Sequence, residues 1–449
     1  MIHKFKFEAS NIVMDIHSGS IHVVDEVAYA LVEDAEYLSK QELILKYSDT
    51  FEAKQIEEAY DELMSLKEQE MLYVSDLYEE FVPAFLEREP VVKALCLHVA
   101  HDCNLACKYC FAGEGEYHGE RGMMSFEVGK NAIDFIIKNS KHRKNIEIDF
   151  FGGEPLMNFE VVKQIVTYAR SKEMESGKTF RFTMTTNGVL LDDEVIDYLN
   201  ENMHNVVLSL DGREKVNNRM RPTPNGKGSY AIILPKFRKL VEKRKGKQYY
   251  VRGTFTRHNL DFGEDVKHIH EAGFNEVSVE PVVAPMHMEY ALQREDMVAL
   301  CMEYEKLARY MLSLTKQGKG FNFFHFMMDL EGGPCVHKRL AGCGSGTEYL
   351  AVTPDGSLYP CHQFVGLREF KMGDVIVGVT NQEKRKAFEK CNVYSKEECK
   401  SCWAKFQCSG GCAANSYNFH GRIDSVYEIG CALQKKRIEC AIGIQAELL

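Results

Sequence analysis

The chain has 449 residues, 45% of them hydrophobic and 27% charged, with a formal net charge of -11, which is enough for real cores and about three domains of ordinary size. The acidic balance argues against a general nucleic-acid binder, and no run of about 18 apolar residues suggests a membrane span. The opening MIHKFKFEAS is basic, but no apolar stretch follows it, so no secretory signal is read and a cytoplasmic location is expected.

Residues 1–85 form the first expected unit. NIVMDI and IHVVD flank the turn HSGS and read as a hairpin. Helical patterns follow at 28–31, 39–47 and 52–69; in the last, Ile56, Ala59, Tyr60, Leu63 and Leu66 recur at helical spacing. A hairpin followed by three short helices resembles the winged-helix-like recognition domain of enzymes that modify ribosomally made peptides. The resemblance implies that a leader peptide adds as a strand to the sheet edge, where unpaired backbone groups are available. A small structural domain is the other reading of the same pattern.

The second unit, 86–330, alternates strand and helix. The strand candidates are 94–100, 146–151, 180–186, 205–211, 249–255 and 276–282. This α/β pattern predicts a partial six-stranded parallel barrel, with the chemistry in loops at the C-terminal strand ends. The third unit, 331–449, is rich in Cys and Gly and poor in long periodic segments, so metals are expected to hold it together.

There are 15 cysteines; none precedes Cys96, and most lie between Cys335 and Cys440. With no sign of secretion, clustered thiols read as metal ligands rather than disulfides. Groups of three and four soft thiolates suit iron-sulfur clusters or zinc. Cys103, Cys107 and Cys110, separated by three residues and then two, follow the first barrel strand directly. One short loop can thus wrap three corners of a cubane and leave the fourth iron open. Zinc is the competing ligand for such a loop.

CNLACKYC resembles the cluster motif of the radical S-adenosylmethionine superfamily, with Tyr109 in the place of the family's usual aromatic. The resemblance implies that a reduced 4Fe-4S cluster on Cys103, Cys107 and Cys110 cleaves S-adenosylmethionine to a 5'-deoxyadenosyl radical, so these three are the catalytic candidates. FFGGEP follows the second strand. By the same resemblance Gly152, Gly153, Glu154 and Pro155 hold the methionyl amino group. Thr185, Asn187, Ser209 and Asp211, in TTNG and LSLDG, are further candidates for cofactor contact; helix capping and turn formation are their alternative use. Arg252 or Arg257 could hold a carboxylate, and Glu280 could reach the site or form a salt bridge inside the barrel. No acid or base is identified.

Farther on, Cys343, Cys361, Cys399, Cys402, Cys408, Cys412 and Cys431 resemble the SPASM twin-cluster extension of peptide-modifying radical enzymes. The implied ligands are Cys399, Cys402, Cys408 and Cys431 for a distal cluster, and Cys343, Cys361 and Cys412 for a nearer one, giving three 4Fe-4S clusters in all. Cys335 could supply a fourth ligand to the nearer cluster. A zinc ribbon is the alternative for Cys399 and Cys402, and Cys96, Cys301, Cys391 and Cys440 read as structural. The whole chain resembles the maturases of the small clostridial peptides with six cysteines in forty-five residues (SCIFF). That family implies a thioether between a cysteine sulfur and the alpha carbon of an acceptor, reportedly threonine. The implied partners are a Cys-rich precursor peptide and an external donor such as flavodoxin or ferredoxin, in an anaerobic organism. Carbon–carbon crosslinking or formylglycine formation is the alternative chemistry, and an electron-carrying scaffold leaves GGEP unexplained.

Overall fold

The computed structural model describes the chain apart from residues 114, 118, 120 and 331–335 and the side chains at 336 and 337. Cys335 therefore lies outside the described residues.

The N-terminal segment is a three-stranded antiparallel sheet of Ile2–Phe7, Ser10–Asp15 and Ile21–Val24. The expected hairpin is its second and third strands, paired from Asn11↔Val24 to Met14↔Ile21. Ile2–Phe7 adds a further strand to the expected hairpin, and IHKFKF alternates in the strand period. Helices Glu26–Leu31, Lys40–Tyr47 and Ala53–Glu68 follow. Each start has a local cause: Asp25 accepts from the Ala28 N–H, and Ser39 and Glu42 form a capping box. Ile56, Ala59 and Leu63 of the third helix are buried together with Val13 of the sheet. The opposite face of the sheet, Phe5, Phe7, Ile12 and Met14, belongs to the main core with the C-terminal helix Glu428–Ala446. At Gly443 on that helix, a Cβ would lie 2.4 Å from the Phe7 ring. The sheet is thus covered on both faces, once by its own helices and once by the other end of the chain.

The six expected parallel strands are Ala94–His101, Asn145–Gly152, Thr179–Thr186, Asn205–Ser209, Tyr249–Phe255 and Glu276–Pro281. They neighbour one another in chain order, all parallel. Amphipathic helices cover the outside; in Phe126–Asn139, Ala132, Ile133 and Ile136 turn inward. The sheet does not stop at six strands. Asn322–Phe323 adds in parallel beyond the sixth. On the other flank Tyr349–Val352, from the Cys-rich region, pairs in parallel with Ala94–Leu97, and short antiparallel strands continue from it. This explains why every residue of Ala94–His101 is buried: helices cover one face and the Cys-rich region covers the other.

That region is not as poor in core as its sequence suggests. Tyr359, Phe364, Phe370 and Phe388 pack around Cys361 and Cys96, and Phe364 and Phe370 lie 4.3 Å apart between ring centroids. Its last helix, Glu428–Ala446, is buried on several sides through Ile429, Leu433, Ile438 and Ile442, so no single apolar stripe marks it in the sequence.

Candidate active site

At the C-terminal ends of the barrel strands lies a cavity of about 550 Å³, large enough for a nucleoside-sized ligand. Cys103, Cys107 and Cys110 line it as free, half-buried thiols. The loop that carries them is held by backbone as well as side chains. Ala106 N–H donates to the Pro222 carbonyl and Lys108 N–H to the Met220 carbonyl, each at 2.9 Å. Asp102 Oδ1 accepts from Cys103 N–H and from Arg121, also at 2.9 Å. Burial pushes the Cys103 thiol up to about 12 and Cys107 up to about 11. Iron takes the thiolate, so loading this loop releases protons.

Gly152 and Gly153 end the second strand where the cluster loop begins. Gly152 has φ +130°, and a Cβ on it would lie 2.2 Å from the Ala100 carbonyl oxygen; one on Gly153 would lie 2.1 Å from that of Asp102. Only glycine allows this close passage. Gly153 N–H donates to Ala100 O at 2.8 Å and Glu154 N–H to Asp102 O at 2.9 Å, which ties GGEP to the base of the loop. The Glu154 carboxylate is buried, 1% exposed. It accepts from Thr186 Oγ1 and Asn187 N–H at 2.8 Å and from Leu156 N–H at 3.1 Å. Burial pushes it up to about 7, against the pull of those hydrogen bonds. Asn187 also reaches the cluster loop, donating to Asn104 Oδ1 at 2.8 Å. Pro155, Thr185, Asn187 and Ser209 line the cavity. Thr186, which anchors Glu154, was not singled out in the sequence.

Tyr109 and Asp211 meet each other. The Tyr109 hydroxyl donates to both Asp211 carboxylate oxygens at 2.8 Å, and Arg221 donates to the Tyr109 oxygen at 2.9 Å. Asp211 is fully buried behind the wall and also accepts from Thr254 N–H at 3.0 Å. Its burial raises it to about 6, opposed chiefly by Arg221. This trio fixes the third-cysteine end of the loop. Arg221 had no signal in the sequence beyond being a basic residue after LSLDG.

Arg252 lies on the cavity wall. Arg257 does not; it pairs with Glu295 at 2.9 Å and Asp296 at 3.4 Å. Glu280 lines the cavity and stands 3.4 Å from His325 and 3.6 Å from Arg437. Burial alone would raise it, but His325, Arg437 and Arg252 outweigh that and hold it at about 2.

The opposite wall belongs to the Cys-rich region and includes Cys408, Gly411, Cys412, Tyr427, Cys431 and Gln434. Its thiols fall into two electrostatic neighbourhoods. Burial first, then Cys412 and Cys343, pushes Cys361 up. Burial, then Cys408, Cys431 and Cys402, pushes Cys399 up to about 12, although Lys396 opposes them. Cys391 lies close enough to feel Cys343 and Cys412, while its S–H donates to the Ile423 carbonyl at 3.2 Å. Among the described residues no group of three His, Cys, Asp or Glu side chains could hold a single metal ion.

Comparison with known proteins matches residues 92–234 to a 4Fe-4S single cluster domain and residues 343–403 to SPASM, an iron-sulfur cluster-binding domain. With a three-cysteine loop and GGEP on one barrel-end cavity, these define a radical S-adenosylmethionine oxidoreductase with an α/β partial-barrel fold and a Cys-rich C-terminal region. The chain belongs to the same family as an uncharacterized protein of Methanocaldococcus jannaschii, 30% identical over 220 residues, 49% of this chain and 72% of that one. It is related to the radical enzymes that mature peptides or sulfatases. A cysteine-type anaerobic sulfatase-maturating enzyme of Clostridium perfringens is 26% identical over 350 residues, covering 72% of this chain and 89% of that one. Streptococcus suis SuiB, solved bound to S-adenosylmethionine, has a similar fold, with TM-score 0.54 and 16% identity over 96% of this chain and 98% of that one; it has also been solved with its precursor peptide SuiA.

Proposed function

We propose that this enzyme modifies a cysteine residue of a peptide or protein substrate held in the cavity between the barrel and the Cys-rich region. The observation that carries this reading is that one cavity is walled by Cys103, Cys107 and Cys110 on one side and by Cys408, Cys412 and Cys431 on the other. Cys103, Cys107 and Cys110 would hold the radical-generating cluster, and the two C-terminal sets two more. When bound, the first cluster and S-adenosylmethionine supply a 5'-deoxyadenosyl radical that removes a hydrogen atom from an unactivated carbon.

The chain's own residues do the positioning. Glu154, pinned by Thr186 and Asn187, offers a carboxylate to the methionyl ammonium, and the bare backbone of Gly152 and Gly153 leaves room for it. Tyr109, Asp211 and Arg221 hold the loop in register. Gln434 and Asn415 on the far wall offer amide groups to a peptide backbone. The N-terminal sheet keeps an outer strand, Ile21–Val24, that pairs on one side only, with Val23 50% exposed. A leader peptide added there would tether the substrate.

Two products fit. The relatives named as sulfatase-maturating enzymes favour oxidation of a cysteine side chain to formylglycine, and they weigh more than anything that speaks for a crosslink. The N-terminal sheet with its helices, together with the SCIFF-like pattern of the chain, favours an intrapeptide thioether to an alpha carbon, with threonine as acceptor. Thioether formation removes the carbon-bound and sulfur-bound hydrogens. One would leave as an atom on 5'-deoxyadenosine and the other as a proton, and a cluster held by Cys343, Cys361 and Cys412 would supply the acceptor for the remaining electron.

The test is anaerobic incubation with S-adenosylmethionine, reductant and a co-expressed Cys-rich peptide, read by fragmentation mass spectrometry. Loss of two hydrogens with a new sulfur-to-carbon link identifies the thioether, and loss of sulfur from one cysteine identifies formylglycine. Cofactor cleavage with an untouched peptide overturns the proposal. Iron and sulfide analysis is expected to find three clusters per chain; stoichiometric zinc would exclude them.

A further inference from the structure

Arg252 on the cavity wall acts on Glu280 only through space. In the fifth barrel strand, Val251, Gly253 and Phe255 are buried, and the alternate residues Arg252 and Thr254 line the cavity. Arg252 remains exposed there. The carboxylate on the next strand that feels its charge, Glu280, is already held by His325 at 3.4 Å and Arg437 at 3.6 Å. Among the described residues no hydrogen bond or contact ion pair engages the Arg252 guanidinium. A guanidinium has five donors in a planar fork, so an unengaged one beside a cleft is matched to carboxylate or carbonyl oxygens.

Its place in the cavity separates it from the cofactor corner. Glu154, Cys107 and Cys110 feel the charge of Arg221. Arg252 is felt instead by Glu280, His325 and His362, toward the sixth strand and the Cys-rich wall. Three inter-strand steps of about 4.8 Å each separate the second strand, which carries Gly152, from the fifth. The amino and carboxylate groups of a methionyl moiety share one carbon, so an ammonium at Glu154 keeps its carboxylate on the near side.

We propose that Arg252 is a substrate-positioning residue that grips a carbonyl or carboxylate oxygen of the peptide beside the reacting carbon. This assignment rests on the peptide reading of the same cavity. The gripped oxygen fixes the peptide between the barrel ends and the Cys-rich wall, which gives Arg252 control over which residue faces the radical.

The experiment compares wild type, Arg252→Ala and Arg252→Lys, each checked for equal iron content. The probe is a set of precursor peptides with their leader segments retained, each with one cysteine and one threonine at varied spacing. Conversion is read by mass spectrometry and S-adenosylmethionine affinity by equilibrium dialysis. For the peptide that wild type converts, Arg252→Ala is expected to raise KM at least tenfold. Arg252→Lys should fall between the two, since it keeps the charge and loses the fork. Cofactor affinity should move less than twofold. An unchanged peptide KM overturns the assignment. So does a tenfold loss of cofactor affinity, which would place the cofactor's carboxylate on Arg252. If wild type cleaves the cofactor but converts no peptide, the peptide reading itself fails, and the assignment with it.

Discussion

At the scale of single residues, Glu154 and Arg221 are the buried charges of the proposed cofactor corner. Glu154 is held above the ordinary carboxylate value of 4.5, at about 7, by burial. The folded state thus favours its protonated form, and ionising it costs stability as pH rises from 4.5 through about 7. An ammonium ligand needs the ionised form, so S-adenosylmethionine affinity is expected to rise across pH 7 while it is changing. Glu154→Gln should weaken binding at least tenfold and flatten that dependence, as equilibrium dialysis on either side of neutrality will determine; an equally steep profile in the variant would remove Glu154 from the ammonium site. Arg221 acts through Tyr109. Arg221→Met leaves Asp211 fully buried without its cation, at a cost of about 3–5 kcal/mol. Asp211 already sits near 6, and losing Arg221 pushes it higher. The deficit should therefore grow as pH rises above 6, and a thermal-unfolding series against pH will reveal it.

At the scale of elements, the second strand and the cluster loop form one piece. Gly152→Ala would drive a Cβ to 2.2 Å from the Ala100 carbonyl oxygen at φ +130°, so the strand end must move away from the loop. The expected outcome is retained iron and a fall of about tenfold in cofactor affinity, about 1.4 kcal/mol, because the thiols are on the loop and the carboxylate is on the strand end. Loss of iron with unchanged cofactor affinity would mean that the loop, not the strand, had yielded. The strand assignments themselves were open to sequence reading because alternation of apolar residues is local: Phe180, Phe182 and Met184 mark one buried face without reference to any other segment. Tyr349–Val352 escaped because four residues carry too little pattern, and their pairing with Ala94–Leu97 joins segments some 250 residues apart.

At the scale of the whole molecule, the N-terminal sheet and the Cys-rich region are bound to each other. Lys405 and Trp403 lie between Cys402 and Cys408 in the chain. Lys405 Nζ pairs with Asp76 at 2.6 Å, Tyr394 donates to the same carboxylate at 2.7 Å, and Trp403 stacks on His3 at 3.6 Å between centroids. The loop of the proposed distal cluster is therefore the platform against which the N-terminal segment packs. Lys405→Met leaves Asp76 in a partly buried site without its cation, at a cost of about 3 kcal/mol. The expected result is faster hydrogen exchange and protease nicking in residues 1–85, with barrel exchange unchanged. Equal protection in the variant would show the two units held by their apolar contacts alone.

The sequence by itself determined the six barrel strands, the helices of the N-terminal segment, the three loop thiols and GGEP, because each is written in neighbouring residues: a period of two, a period of three to four, or a fixed gap between cysteines. It did not reveal Thr186 under Glu154 or Arg221 behind Tyr109, nor which of Arg252 and Arg257 faces the cavity, since any helix or strand of this composition has such residues and only burial and partners distinguish them. Nor did it reveal that Phe5 and Phe7 would pack on a helix more than 400 residues away. Tertiary structure decided these because a long-range contact leaves no periodicity in the chain; it depends on which faces remain uncovered once the local elements have formed.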